Sequence, residues 1–319
     1  MKIAILDKQT VSTGGISFDE ISALGETIFY DYTPYDKMVQ NIGDAEAVIC
    51  NKSLFTADVL RACKNLKYIG LFATGYNNID IKTATELGIT VCNVPDYSTK
   101  AVAQHTFALI LEIFSRVGDF SRSVAEGGWI KSPTFSYFAY PTYELDGLTL
   151  GIIGFGNIGR AAAKIGEAFG MKVIVHTRTV PEKGLFPYEF VGLKEVFSRA
   201  DVLSLHCPLN DATKGIVNED NLSLMKKSAV IINTSRGGLV DEKALAEALN
   251  SERIAGAGLD VLSKEPMQET NPLYRAKNCI ITPHIAWAPL ETRKRLVSLA
   301  AKNLKAFIEG NPINVVTEP

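Results

Sequence analysis

Leu148-Thr149-Leu150-Gly151-Ile152-Ile153-Gly154-Phe155-Gly156-Asn157-Ile158-Gly159-Arg160 is an apolar run that feeds into three glycines at the G-x-G-x-x-G spacing. Leu148–Ile153 reads as a buried strand, Ile158–Phe169 as a helix and Lys172–His176 as the next strand, the context that gives this motif meaning. Gly154 lets the chain turn tightly off the strand, Gly156 lets backbone approach a pyrophosphate, and Gly159 lets the helix pack close. The helix opening at Asn157 and Ile158 then turns its N-terminal N–H groups and dipole toward the phosphates. The stretch predicts a dinucleotide-binding βαβ unit rather than a merely structural turn.

The rest of the composition allows this and excludes much else. With 319 residues the chain is long for one core, and 46% hydrophobic with 21% charged residues is ordinary for a globular protein. A formal net charge of −2 without a Lys/Arg block gives no reason to expect nucleic acid or an anionic membrane as partner. The cysteines (Cys50, Cys63, Cys92, Cys207, Cys279) lie mostly in apolar runs without metal-ligand spacing, so reduced core thiols and no metal are expected. The opening apolar run is too short for a signal peptide and nothing approaches a membrane span, so a cytoplasmic location is expected.

Working outward from the glycine turn, both flanks read as alternating strands and helices. Before it, Lys2–Leu6, Thr27–Tyr30, Ala47–Cys50, Lys67–Ala73 and Thr90–Val94 read as strands, with helices at Phe18–Leu24, Tyr35–Ile42, Thr56–Lys64 and Ile81–Leu87. After it come strands at Val202–His206, Ala229–Asn233, Ala255–Leu259 and Cys279–Thr282, and a last amphipathic helix at Glu291–Ile308. Such alternation predicts two α/β domains, each a doubly wound parallel sheet. Lys100–Phe120 reads as one long apolar helix linking them. Gly127–Pro141, with Trp129, Phe135, Tyr137, Phe138 and Tyr140, has no clear period and reads as an ordered arm or loop; an apolar arm of this kind would be buried across a dimer interface.

In such sheets ligands sit beyond the carboxyl ends of strands, which directs attention to three late stretches. Asn233-Thr234-Ser235-Arg236-Gly237-Gly238 places a guanidinium fork, suited to a carboxylate, in a glycine-bordered turn. Gly258-Leu259-Asp260-Val261-Leu262 leads to Lys264-Glu265-Pro266, and Thr282-Pro283-His284-Ile285-Ala286 closes the last strand. His284 can exchange a proton near neutrality. Each also has a plain structural reading, as a surface charge or a satisfied strand-end residue. His105 and His206 read as structural, while Thr106 could reach a phosphate. Eighteen residues past Gly159, where NAD-binding folds carry an acidic group for the ribose 2′-hydroxyl, stands Thr177, followed by Arg178. The missing carboxylate and the adjacent guanidinium predict NADP(H) in preference to NAD(H).

Gly-Phe-Gly-Asn-Ile-Gly, Asn-Thr-Ser-Arg-Gly-Gly, Gly-Leu-Asp-Val-Leu with Glu-Pro, and Thr-Pro-His-Ile-Ala-Trp together resemble the signatures of the D-isomer-specific 2-hydroxyacid dehydrogenases, in order along nearly the whole chain. The loop Ala73-Thr74-Gly75-Tyr76-Asn77-Asn78-Ile79-Asp80 and Ser136-Tyr137-Phe138 resemble the glycerate dehydrogenase (hydroxypyruvate reductase) branch. The resemblance implies a flavodoxin-like substrate domain of residues 1–99 completed by 288–319, a Rossmann nucleotide domain of 100–287, a cleft between them, and dimerisation through about 100–141. It implies that Arg236, with backbone N–H groups of Thr74 and Gly75, binds the carboxylate of a small 2-oxo acid. His284 would be the proton donor in ketone reduction, and Glu265 would orient it. Asp260 and the backbone near Thr234 would hold the nicotinamide carboxamide, while Cys207, Pro208 and Thr213 would line the cofactor groove. The expected activity is hydroxypyruvate or glyoxylate reduction, or that of a sibling acting on a bulkier 2-oxo acid or 2-ketogluconate. A non-catalytic dinucleotide sensor of corepressor type is the rival; the complete set Arg236, Glu265, His284 and the absence of a tail before Pro319 weigh against it.

Overall fold

The computed structural model describes residues 1–317 and divides into two units, Met1–Ser98 with the chain from Trp287 onward, and Thr99–Ala286. No helix among the described residues is long and apolar enough to cross a membrane.

The first unit is a five-stranded, all-parallel sheet made of β1 (Lys2–Ile5), β2 (Glu26–Phe29), β3 (Ala47–Cys50), β4 (Tyr68–Leu71) and β5 (Thr90–Cys92), in the order β2-β1-β3-β4-β5. This is the flavodoxin-like order. Period-2 patterning is strict in β1, β3 and β4. Ile3, Ile5, Ala47, Ile49 and Tyr68 face one core, while Ala4, Val48, Cys50, Ile69 and Leu71 face the other. The helix Leu290–Ile308 supplies Leu296, Val297, Ala300, Ala301 and Leu304 to the first of these cores, so the end of the chain completes the unit in which the chain begins.

The second unit carries seven parallel strands: β6 (Thr149–Ile153), β7 (Lys172–His176), β8 (Glu189–Phe190), β9 (Val202–Leu205), β10 (Val230–Asn233), β11 (Gly256–Leu259) and β12 (Cys279–Ile281). Their order is β12-β11-β10-β9-β6-β7-β8, so the chain reverses direction across the sheet between β6 and β9. Ligands of doubly wound sheets bind at that switch point. One face is covered by Phe107, Leu109, Ile110 and Phe114 of the helix Thr99–Ser115 and by Ala162 and Ala163 of the helix Asn157–Ala168.

Several elements depart from the sequence reading. Lys100–Phe120 is two helices, Thr99–Ser115 and Val117–Ala125, separated by Arg116 in the left-handed region at φ 50°. That conformation costs a non-glycine residue about 1 kcal/mol. It is held by the Arg116 guanidinium on Asp119 at 3.2 Å and by the Glu112 carboxylate, which accepts the Gly118 N–H at 3.1 Å. The apolar period runs through the break, so pattern alone misses it. The two-residue strand β8 and the one-turn helices Gln9–Ser12 and Glu219–Ser223 are too short to carry a period. The stretch Gly127–Pro141 is an irregular loop, as read, but within one chain its aromatics are not buried.

Candidate active site

The glycine turn shows three different demands. Gly154 has φ 95°, and a Cβ there would stand 2.6 Å from the backbone of His206 and Cys207 at the end of β9. A Cβ on Gly159 would stand 2.2 Å from the Gly154 carbonyl oxygen. Both glycines are therefore required by the chain's own packing. Gly156 is not: its φ is −75°, and a Cβ would meet nothing within 4 Å. The open space sits at the N-cap of the helix Asn157–Ala168, beside exposed Asn157 and half-buried Ile158, where a phosphate-bearing ligand needs backbone-level access. The cradle fits a dinucleotide.

At the same edge of the sheet, the ends of β10, β11 and β12 carry Arg236, Asp260 and His284. Asn233, fully buried, shapes the first turn: its side chain donates to the Arg236 carbonyl at 2.9 Å and accepts the Ser235 N–H at 3.0 Å. Arg236 lies in this turn half-buried, its guanidinium donating to the Ser235 carbonyl at 2.7 Å. A Cβ on Gly237 would fall 1.8 Å from the Leu262 carbonyl carbon, so only glycine lets the Arg236 turn rest on the loop that leads to Glu265. There Glu265 accepts the Leu262 N–H at 3.0 Å through Oε1 and meets His284 Nδ1 at 2.7 Å through Oε2. A carboxylate has only acceptors, so Nδ1 carries the hydrogen and the imidazole is oriented with Nε2 facing away from Glu265.

His284 itself has φ 55°, an unfavourable conformation for a β-carbon residue. Asp260 holds it. The Asp260 carbonyl accepts the His284 N–H at 2.8 Å, and its buried carboxylate accepts from Ile285 N at 2.9 Å, Ala286 N at 2.8 Å and Thr282 Oγ1 at 2.6 Å. Burial pushes the Asp260 carboxyl up, but bonds from His105, Thr282, Ala286 and Ile285 outweigh it and hold the group below the usual carboxylate range. His105 Nε2 stands 2.9 Å from Thr282 Oγ1 and 3.4 Å from Asp260. Because the threonine hydrogen is committed to Asp260, His105 must donate from Nε2.

The remaining candidates are spread along both units. Thr177 and Arg178 follow β7, Thr177 half-buried and Arg178 exposed. Cys207 is buried at the end of β9, followed by exposed Pro208, whose carbonyl accepts the Thr213 hydroxyl at 2.6 Å. Thr106 is fully buried, its hydroxyl donating to the Val102 carbonyl and lying 3.1 Å from Thr234 Oγ1. His206 is a packing residue, with Nδ1 buried and unpartnered among the described residues; burial lowers its pKa to about 4. All five cysteines are unpaired. In the first unit, Thr74 and Gly75 follow β4, and the Thr74 hydroxyl and carbonyl are bonded to Val94 and Asn93.

Residues 107–286 match the family model for the NAD-binding domain of D-isomer-specific 2-hydroxyacid dehydrogenases. The chain belongs to that family. It is 46% identical to a hydroxypyruvate reductase of Blautia hydrogenotrophica over 322 aligned positions, covering 100% of both chains. It is 41% identical to a glycerate dehydrogenase of Methylorubrum extorquens, covering 89% of each. Among solved structures it superposes with TM-score 0.84 on an NADPH-dependent glyoxylate/hydroxypyruvate reductase from Sinorhizobium meliloti, solved with NADP and malonate, at 29% identity over 99% of this chain and 96% of that one. Two supporting arrangements are not legible in the sequence. Asn233 was visible only as a turn-forming amide at a strand end, and the His105–Thr282–Asp260 cluster joins residues too far apart in the chain for spacing to reveal.

The unequal demands on the glycines give a direct test. Gly159→Ala should lose more than about 3 kcal/mol of stability without any ligand. Gly156→Ala should stay within about 1 kcal/mol of the parent yet bind dinucleotide weakly. Melting curves of both variants with and without NADPH check this; equal apo destabilisation by the two would refute it.

Proposed function

We propose that this dehydrogenase reduces small 2-oxo acids, hydroxypyruvate and glyoxylate first, to D-2-hydroxy acids with NADPH. The observation that carries the reading is the 2.7 Å Glu265–His284 pair at the end of β12, on the same sheet edge as Arg236 after β10. The named relatives, a hydroxypyruvate reductase and a glycerate dehydrogenase, support this substrate class over bulkier acids.

Bound over the glycine turn, the reduced nicotinamide supplies the hydride. Asn157 and Ile158 N–H groups would face its phosphates, Cys207, Pro208 and Thr213 would line its groove, and Thr234 with Asp260 would hold its carboxamide. Arg236 would take the substrate carboxylate in its guanidinium fork; within the first unit, the backbone N–H groups of Thr74 and Gly75 are the proposed substrate donors. As negative charge grows on the carbonyl oxygen, the guanidinium stabilises it and His284 delivers a proton from Nε2. Glu265, anchored by the Leu262 N–H, keeps the ring aimed. In the reverse direction His284 takes the hydroxyl proton. The absence of a carboxylate at Thr177 and the presence of Arg178 favour the 2′-phosphate of NADPH. Five unpaired thiols fit a reducing cytoplasm.

A homodimer completes the reading. Ile130, Phe135 and Phe138 are 88%, 90% and 88% exposed and Trp129 is 52% exposed, all on one short loop. Rings and aliphatic chains of that size present a few hundred Å² of apolar surface, about half of what one partner buries in a standard interface. A second copy that contributes the same loop would cover both.

Nicotinamide absorbance should fall fastest with hydroxypyruvate and glyoxylate and faster with NADPH than NADH. Arg236→Ala should cut kcat/KM by about a hundredfold or more, largely through KM, and Thr177→Asp should move preference toward NADH. Turnover of no 2-oxo acid by the parent would refute the reading. Sedimentation should show a dimer that Phe135→Ser with Phe138→Ser weakens; a monomeric parent at micromolar concentration would refute the interface.

A further inference from the structure

Asp7 lies just beyond β1 and is 3% exposed, yet the reaction described above gives it no part. Its carboxylate is filled by donors from one distant segment. Oδ1 accepts the Asn51 N–H at 2.8 Å, and Oδ2 accepts the N–H groups of Lys52 at 2.8 Å and Ser53 at 3.1 Å and the Ser53 hydroxyl at 3.1 Å. Three consecutive amides converging on one oxygen pair form an anion nest, with the anion supplied by the chain itself. Burying a carboxylate is costly unless its oxygens are satisfied, so this segment has one conformation in which Asp7 is tolerated.

The segment follows β3 and alternates sharply. Asn51, Ser53 and Phe55 are buried while Lys52 and Leu54 are exposed, so the pinned residues leave the other two displayed at the carboxyl edge of the sheet. The same segment braces its neighbour. The Ser53 carbonyl accepts from the Asn78 side chain at 2.7 Å, and the Phe55 N–H donates to the Asn78 carbonyl at 2.8 Å. Asn78 closes the loop that begins with Thr74 and Gly75, and Thr74 is tied to Val94 and Asn93. One buried carboxylate therefore sets the loops after β3 and β4 relative to each other.

We propose that Asp7 is a positioning residue for substrate selection: through Ser53 and Asn78 it holds Thr74–Gly75 against the displayed Lys52 and Leu54, and so determines which group, hydrogen or hydroxymethyl, is accepted on the keto carbon of a 2-oxo acid. This rests on the 2-oxo acid reductase reading. It separates cleanly from a role in the dinucleotide cradle, because every residue of the network lies in the first unit and the glycine turn lies in the second.

The test is Asp7→Asn in the full chain, which keeps the shape but turns an amide N–H₂ toward the converging donors. KM for hydroxypyruvate should rise about tenfold with a smaller change in kcat. The hydroxypyruvate to glyoxylate preference should change at least about threefold, and the NADPH Kd should stay within about twofold of the parent. Hydrogen exchange at residues 51–53 should accelerate. Asn78→Ala, which removes the side-chain bond to the Ser53 carbonyl and leaves the backbone bond to Phe55, should raise KM in the same direction, by less, and serves if Asp7→Asn does not fold. An unchanged KM and preference, with only a lower melting temperature, overturns the inference while leaving the reductase reading intact. An inactive parent with intact NADPH binding overturns both.

Discussion

The carboxylate of Asp260 is the constraint on which the chemistry of the second unit depends. Three donors on the segment Thr282–Ala286 converge on it, and its own carbonyl receives the His284 N–H. These bonds stabilise a left-handed histidine that no local preference would produce. Without them the imidazole would not be delivered to Glu265, and the Arg236 turn would have no partner of defined position across the sheet edge. His105, bonded to Thr282, extends the same support into the first helix of the unit.

The first unit repeats this solution with different residues. Asp7 after β1 and Asp260 after β11 are each buried acids beyond a strand end, and each gathers backbone N–H groups from the segment after another strand. A parallel sheet opens its carboxyl edge to ligands, and loops there lack the ladder that holds the strands. A charged acceptor with several donors is a strong way to make such a loop single-valued. The cost of burying the charge is offset only in the correct conformation, which is what gives the loop its definition.

Much of this was legible in the sequence for identifiable reasons. Strands buried on both faces read as short apolar runs, and most of those read out match observed strands to within a residue or two. The glycine turn could be read because Gly154 and Gly159 answer local steric demands. Arg236, Glu265 and His284 could be named because strand ends are where such folds place chemistry, and the structure brings Glu265 and His284 together. The break at Arg116 was hidden because an apolar period says nothing about a single left-handed residue. Asp7 and His105 were hidden because their partners lie 44 and 177 positions away, and a buried acid looks like any other acid until the fold brings its donors to it.

We propose that the Glu265-braced imidazole supplies the proton as hydride reaches the ketone carbon. Stopped-flow single turnover of hydroxypyruvate on the preformed NADPH complex measures that step, comparing the parent with His284→Gln. The account predicts a fall of about 10²- to 10⁴-fold in the chemical step with NADPH affinity unchanged. A folded variant that bound NADPH normally and reacted within about tenfold of the parent would contradict it.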